Sequence, residues 1–314
     1  MLGAGAAMVA FGQGAAISFS LTFLRDCCLS LPFMSTVRFK IFYDYLQILS
    51  IDIVIGACAG MLFFDRLIGA DLRALLYLLL ALAVWCIYTF DHLLDARHIK
   101  KAASTPRHAF HQRHFKKLAI LLAILGSLGL GLALYFLKIK FIVFTGVALG
   151  SLILISFLLL KTFPQRWVFL KEISIATLYV GGIMLAPYFH NDLERIPQAF
   201  WLLGLAYVLV AWFNTLYLGM LDRDSDEEDG LYSFALTVGE GRSNKLLTGL
   251  MVFMLIHIIA LYFFLSSRYY LHISLVLIMA LNHCIVFLQN RSSSDDARRK
   301  LDACFMLPLF LLLV

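Results

Sequence analysis

The sequence is poor in charge. Only 15% of its 314 residues are Asp, Glu, Lys or Arg, against about 25% in a soluble globular domain. Hydrophobic residues make up 61% and the mean hydropathy is +0.86. A chain of this length cannot bury that much apolar surface in one core facing water, so a bilayer must be its solvent. The six cysteines (Cys27, Cys28, Cys58, Cys86, Cys284, Cys304) lack metal-ligand spacing and mostly sit inside apolar runs. They read as small buried hydrophobes, which excludes a disulfide framework and a zinc ribbon. The net charge of +6 does not form a soluble basic patch. Its carriers lie between apolar segments, which argues against nucleic acid as a partner.

What the chain does have is long apolar stretches. A spanning helix needs about 20 predominantly apolar residues, and nine segments qualify, the last of them short: Tyr45–Phe64, Ala74–Phe90, Leu118–Leu137, Phe141–Leu160, Ile173–Phe189, Ala199–Leu221, Leu246–Ser267, Tyr269–Asn290 and Ala303–Val314. Backbone groups in lipid must be satisfied internally, by helices or a closed barrel. Continuous runs without period-two alternation select helices. The expected fold is therefore an all-α, multi-pass transmembrane bundle over residues 41–314. Residues 1–40 precede it. Their first 24 hold no charge and are rich in Gly, Ala and Ser, which fits a signal-like segment, an extra helix, or an upstream start with Met34 as the true one.

Basic residues orient the bundle. Twenty of the 26 lie before the first span or in the loops after spans two, four, six and eight, and six lie on the other side. The positive-inside rule makes the first side cytoplasmic. In a bacterium the protein would sit in the inner membrane.

Two acidic clusters open on that same side. The second span ends in Asp91-His92-Leu93-Leu94-Asp95, and the sixth in Asp222-Arg223-Asp224-Ser225-Asp226. Positions four apart share a helix face, so each cluster presents two carboxylates in one direction if its helix persists. Acids past a span are often only a solvated helix end. Here, however, six of the eight residues from Asp222 to Asp229 are acidic, where cytoplasmic loops normally favour positive charge. Two carboxylates ~6 Å apart repel by about 3 kcal/mol at an effective dielectric of 20. A hard divalent cation relieves this, and Mg²⁺ typically takes one or two carboxylates plus substrate phosphates. Lys100, Lys101, Arg107, Lys161, Lys171 and Arg223 lie on the same side, ready to neutralise a diphosphate. Asp91, Asp95, Asp222 and Asp226 are thus the candidate catalytic and Mg²⁺-binding residues. An allylic diphosphate with an isoprenoid tail is the substrate this chemistry suits.

At these residues the sequence resembles the UbiA superfamily of intramembrane prenyltransferases. That family has nine helices and two aspartate-rich motifs, NDxxDxxxD and DxxxD, on cytoplasmic loops after helices two and six. Asp91–Asp95, followed by Arg97, Lys100, Lys101 and Thr105-Pro106-Arg107, is similar to the end of the first motif. Asp222–Asp226, followed by Gly230 and Gly239, is similar to the second. Two positions depart from the pattern: the family's asparagine falls at Ile87 and its next acid at Tyr88. The resemblance implies transfer of a prenyl group from its diphosphate to a lipophilic, aromatic acceptor, with Mg²⁺ bridging the four aspartates and the diphosphate.

Asn214, Asp224, Tyr88 and Asp52 are candidates to touch the acceptor or support the ligands. Asp52 sits in the middle of the first predicted span, where an ionised Asp costs ~3 kcal/mol. His98, His108, His111 and His114 are accounted for by a basic loop, and Ser292–Lys300 reads as a solvated loop. A catalytically silent member of the same family and a membrane transporter are the alternatives. A transporter predicts internal repeats or ionisable groups at mid-bilayer; Asp52 is the one deep candidate.

Overall fold

The computed structural model describes residues 37–136, 144–148, 150–152, 155, 168–191, 195–231, 234–289 and 294–313. Among these there is no strand. The predicted fourth span, Lys161 and residues 1–36 fall largely or wholly outside them. By internal contacts the chain divides into two units, residues 1–45 and 46–314.

Twelve α-helices are described: α1 Val37–Ile48, α2 Ile51–Ile68, α3 Ala74–His98, α4 Pro106–Arg113, α5 Phe115–Phe136, α6 Val168–His190, α7 Gln198–Leu221, α8 Arg223–Asp229, α9 Phe234–Val238, α10 Glu240–Phe264, α11 Tyr270–Gln289 and α12 Ser294–Cys304. Two 3₁₀ turns, Ser267–Tyr269 and Leu307–Leu312, flank the last pair. Six helices (α3, α5, α6, α7, α10, α11) are long and apolar enough to cross a membrane, and the interrupted pair α1–α2 supplies a seventh candidate. The chain is a multi-pass helical membrane protein.

Helix α7 is the axis of the bundle. It packs against α6, α10, α11, α12 and α2, and 67% of its apolar window is buried, against 6% for α5. Phe200, Leu203, Ala206, Tyr207, Val210 and Phe213 of α7 are almost fully enclosed. Spacings of three and four place these on one face, and the buried Gly204, Leu209, Ala211 and Leu216 lie on the others, as expected of a helix enclosed on all sides. Helix α5 packs chiefly on α3 and leaves Ile120, Ile124, Leu128 and Leu134 exposed. Such a face is stable only where lipid replaces water. Gly60 lets α2 approach α6 and α7: a Cβ there would stand 2.6 Å from Ile183 Cδ1 and 3.0 Å from the Tyr207 hydroxyl.

Three sequence expectations need correction. The first span is not continuous. Ser50 adopts a left-handed conformation (φ 56°) and breaks the helix before Ile51, so Asp52 lies in the first turn of α2, beside the break, rather than inside an unbroken helix. Within the predicted ninth span, Ala303–Val314, the described residues form the end of α12 and a six-residue 3₁₀ turn rather than one α-helix. Residues Ser294–Lys300, read as a solvated loop, belong to α12, an amphipathic helix whose Ala297, Leu301 and Cys304 are buried.

Candidate functional site

The first acidic motif lies inside a helix. Helix α3 runs without a break to His98, so Asp91 and Asp95 share a face one turn apart. The second straddles a junction: α7 ends at Leu221, Asp222 caps it in a right-handed conformation, and α8 follows. The Asp226 N–H donates to the Asp222 carbonyl at 2.8 Å. Helical spacing therefore carries across the junction and keeps the two carboxylates on one side. Gly230, at φ 71°, ends α8 by donating its N–H to Asp226 and Glu227 carbonyls, a left-handed stop open to glycine.

The two motifs meet. Asp226 is in electrostatic reach of Asp222, Lys171, Asp95 and Arg298. Lys171, on α6, feels Asp91, Asp95 and Asp226 together. Burial, then Asp222, pushes the Asp226 carboxyl up to about 7, so this cluster favours a proton or a cation on Asp226. Carboxylate oxygens are the donors a hard divalent ion takes, and the set fits Mg²⁺.

The loop after α3 ties the motifs together. The Ser104 N–H donates to Asp229 Oδ1 at 2.9 Å, and the Ser104 hydroxyl donates to the Ser225 carbonyl at 3.4 Å. His108 Nδ1 lies 3.5 Å from Asp229 Oδ2, and Lys101 lies 3.8 Å from Glu228. Gln112 fastens the loop to α4 by donating to the Ile99 and Lys101 carbonyls at 3.1 and 3.0 Å. Thr105 caps α4, its side chain accepting from the His108 N–H at 3.3 Å, with Pro106 in the first turn. Both residues suit a helix start.

A second layer comes from α12, which sequence reasoning missed. Arg298 pairs with Asp222, its side chain 13% exposed. One turn on, the buried Asp302 accepts a hydrogen bond from Asn214 and one from Gln47 at 3.5 Å. Burial drives the Asp302 pKa up against Arg298 and Arg107. Burial opposes the Arg298 charge, but Asp222 and Asp302 outweigh it and raise its pKa. Arg107 is lowered by burial and then by Arg298, while Asp222, Asp302 and Asp52 pull the other way. Tyr88 has Asp302, Asp91, Asp52 and Arg107 as electrostatic neighbours.

Of the predicted residues, then, Asp91, Asp95, Asp222, Asp226, Lys171 and Arg107 come together, with Asp52, Asn214 and Tyr88 beside them. Lys100 and Asp224 are exposed. Arg223 turns to Glu240 at 3.3 Å. The signal for Arg298 and Asp302 was present as Ala297, Arg298, Leu301, Asp302 and Phe305 at spacings of one, three and four. Averaged polarity hides such a face.

The profile of the UbiA prenyltransferase family matches residues 53–312. A 4-hydroxybenzoate octaprenyltransferase of Pseudomonas putida is 27% identical over 164 residues, 52% of each chain; the chain spans about half the length of this relative. Two solved structures of a UbiA homologue from Archaeoglobus fulgidus, one bound to GPP and Mg²⁺ and one to DMAPP and Mg²⁺, superpose with TM-scores of 0.61 and 0.58 at 14% and 13% identity. Both comparisons cover 86% of this chain and 99% of the other. A digeranylgeranylglyceryl phosphate synthase gives a TM-score of 0.51 at 15% identity, covering 87% and 96%. At such identity these structures share the fold.

Proposed function

Because the chain belongs to the UbiA prenyltransferase family, we propose that it moves an isoprenoid group from a prenyl diphosphate to a lipophilic aromatic acceptor within the membrane. The observation that carries this reading is the convergence of Asp91 and Asp95 with Asp222 and Asp226 around Lys171. DMAPP or GPP with Mg²⁺ in the Archaeoglobus fulgidus structures and the name of the Pseudomonas relative support it. The excess of basic residues on the motif side supports a cytoplasmic site.

In this reading Asp91, Asp95, Asp222 and Asp226 would hold Mg²⁺, which would supply positive charge to the departing diphosphate. Lys171 and Arg107 offer N–H donors to the same oxygens, and a charge already fixed in place needs no reorganisation as the bond breaks. Arg298 orients Asp222. The allylic C–O bond breaks with its electron pair going to the diphosphate oxygen. The allylic carbocation is then captured by the acceptor's π electrons, and the acceptor loses a proton. The released diphosphate can take that proton.

Purified protein in nanodiscs, given geranylgeranyl diphosphate, Mg²⁺ and 4-hydroxybenzoate or a membrane lipid extract, should release diphosphate and form a prenylated product. Asp95→Asn and Asp222→Asn should abolish both. Wild-type turnover in either variant would defeat the assignment.

A further inference from the structure

Two of the family's expected first-motif ligands are missing here, with Ile87 and Tyr88 in their place. The adjoining turn of α3 instead carries His92, and α4 brings His108 beside it. One ligand atom from each of His92, Asp95 and His108 lies within 4.8 Å of the other two. His92 is 6% exposed, and its Nδ1 has no hydrogen-bond partner. A buried polar atom left without a partner is destabilising, so a donor set around His92 asks for something bound there.

We propose that His92, Asp95 and His108 form a site for a divalent transition-metal ion of the zinc type, separate from the Mg²⁺ held by the carboxylates. Imidazole nitrogens select zinc-like ions, whereas carboxylate and water select Mg²⁺. The surroundings supply what metal-ligating histidines need behind them. His108 Nδ1 faces Asp229 Oδ2 at 3.5 Å, and Asp229 is held in turn by the Ser104 N–H. A carboxylate on Nδ1 keeps the proton there and the lone pair on Nε2, as in carboxylate–histidine–zinc arrangements. His111, its ring centroid 5.0 Å from His92, donates Nδ1–H to the Arg107 carbonyl at 2.9 Å and likewise keeps a lone pair on Nε2.

Bonds of ~2.0–2.2 Å in a tetrahedral site set ligand atoms roughly 3.4 Å apart. Closing the cluster on one ion takes side-chain shifts of about an ångström. Three protein ligands leave the fourth position open, the arrangement of reactive zinc sites rather than structural ones. Asp95 has two oxygens and can serve both ions. The proposal shares that one residue with the prenyl-transfer reading and otherwise stands on its own geometry.

Chelator-treated full-length protein in detergent is titrated with Co²⁺ in excess Mg²⁺, and visible ligand-field absorption is followed. One equivalent of Co²⁺ should develop a band that Zn²⁺ displaces. His92→Gln and His108→Gln should each weaken binding at least tenfold, and Asp229→Asn about 10- to 100-fold. His98→Gln, exposed and bonded to the Leu94 carbonyl at 2.8 Å, should leave binding unchanged. Circular dichroism and gel filtration establish that each variant is folded. No band in the wild type, or an unchanged band in folded His92→Gln and His108→Gln proteins, overturns the site. Asp222→Asn separates the two readings, since it should keep the Co²⁺ band while losing diphosphate release. If it keeps both, the prenyl-transfer reading falls and the metal site stands.

Discussion

The two acidic motifs present four aspartates at the same spacing, yet the chain builds them differently. The first is part of an uninterrupted 25-residue helix, so its geometry is fixed by the rigidity of α3. The second sits where α7 ends, and its geometry depends on a cap, a short helix and a glycine stop. The first is short of acids and backed by histidines. The second is rich in acids and backed by an arginine from α12. A rigid motif tolerates changed ligands because its frame does not move. A jointed motif needs partners that hold it in place.

The largest test of this contrast is the aspartates themselves. Asp95→Asn and Asp222→Asn should each lower kcat by roughly 10²–10³-fold or more, by analogy with losing one preorganised charge-stabilising group. Diphosphate release in nanodiscs reads this directly. A severe loss at one motif alone would show that they do not act on one substrate.

Next is the support from α12. Arg298→Ala should cut turnover about 10- to 100-fold through misplacement of Asp222, which would lose its direct ion-pair partner. Lys300→Ala, on the side that pairs with Asp296 at 2.7 Å, should leave turnover unchanged. Equal effects from the two would remove the distinction between a supporting and a solvated face.

The third test is pH. Asp226 is pushed up to about 7, so below that value it holds a proton that Mg²⁺ must displace. Mg²⁺ affinity should rise about tenfold from about pH 6 to about pH 8 and then flatten. Isothermal titration calorimetry at several pH values measures this, and Asp226→Asn should remove the slope. The smallest effect belongs to the cap of α4. Thr105→Ala should lower stability by about 1 kcal/mol, seen as a lower melting midpoint, with only a slight loss of turnover.

Much of this was legible in the sequence. The boundaries of α7 and α11 fell within a residue of the apolar runs, because lipid imposes a simple length rule on spans. The pairing of Asp91 with Asp95 followed from helical period alone. The break at Ser50 was not legible, since nothing in Ile48-Leu49-Ser50-Ile51 interrupts hydropathy, and Asp52 was consequently read as the interior of one continuous helix. Arg298 and Asp302 were passed over because a polar amphipathic helix and a polar loop have the same average composition. Their partners lie far away in sequence, Asp222 at 76 residues from Arg298 and Gln47 at 255 from Asp302, and no local pattern reports a partner at that distance.

That separation has a consequence for how the protein is made. Chains emerge from the ribosome N-terminus first, and their parts fold in that order. Both acidic motifs therefore enter the membrane while α12 is still untranslated. Until Arg298 arrives, Asp222 lacks the side chain that pairs with it directly. If the proposed function holds, a nascent chain halted before α12 should be inserted yet inactive, because the partner of Asp222 comes from that helix.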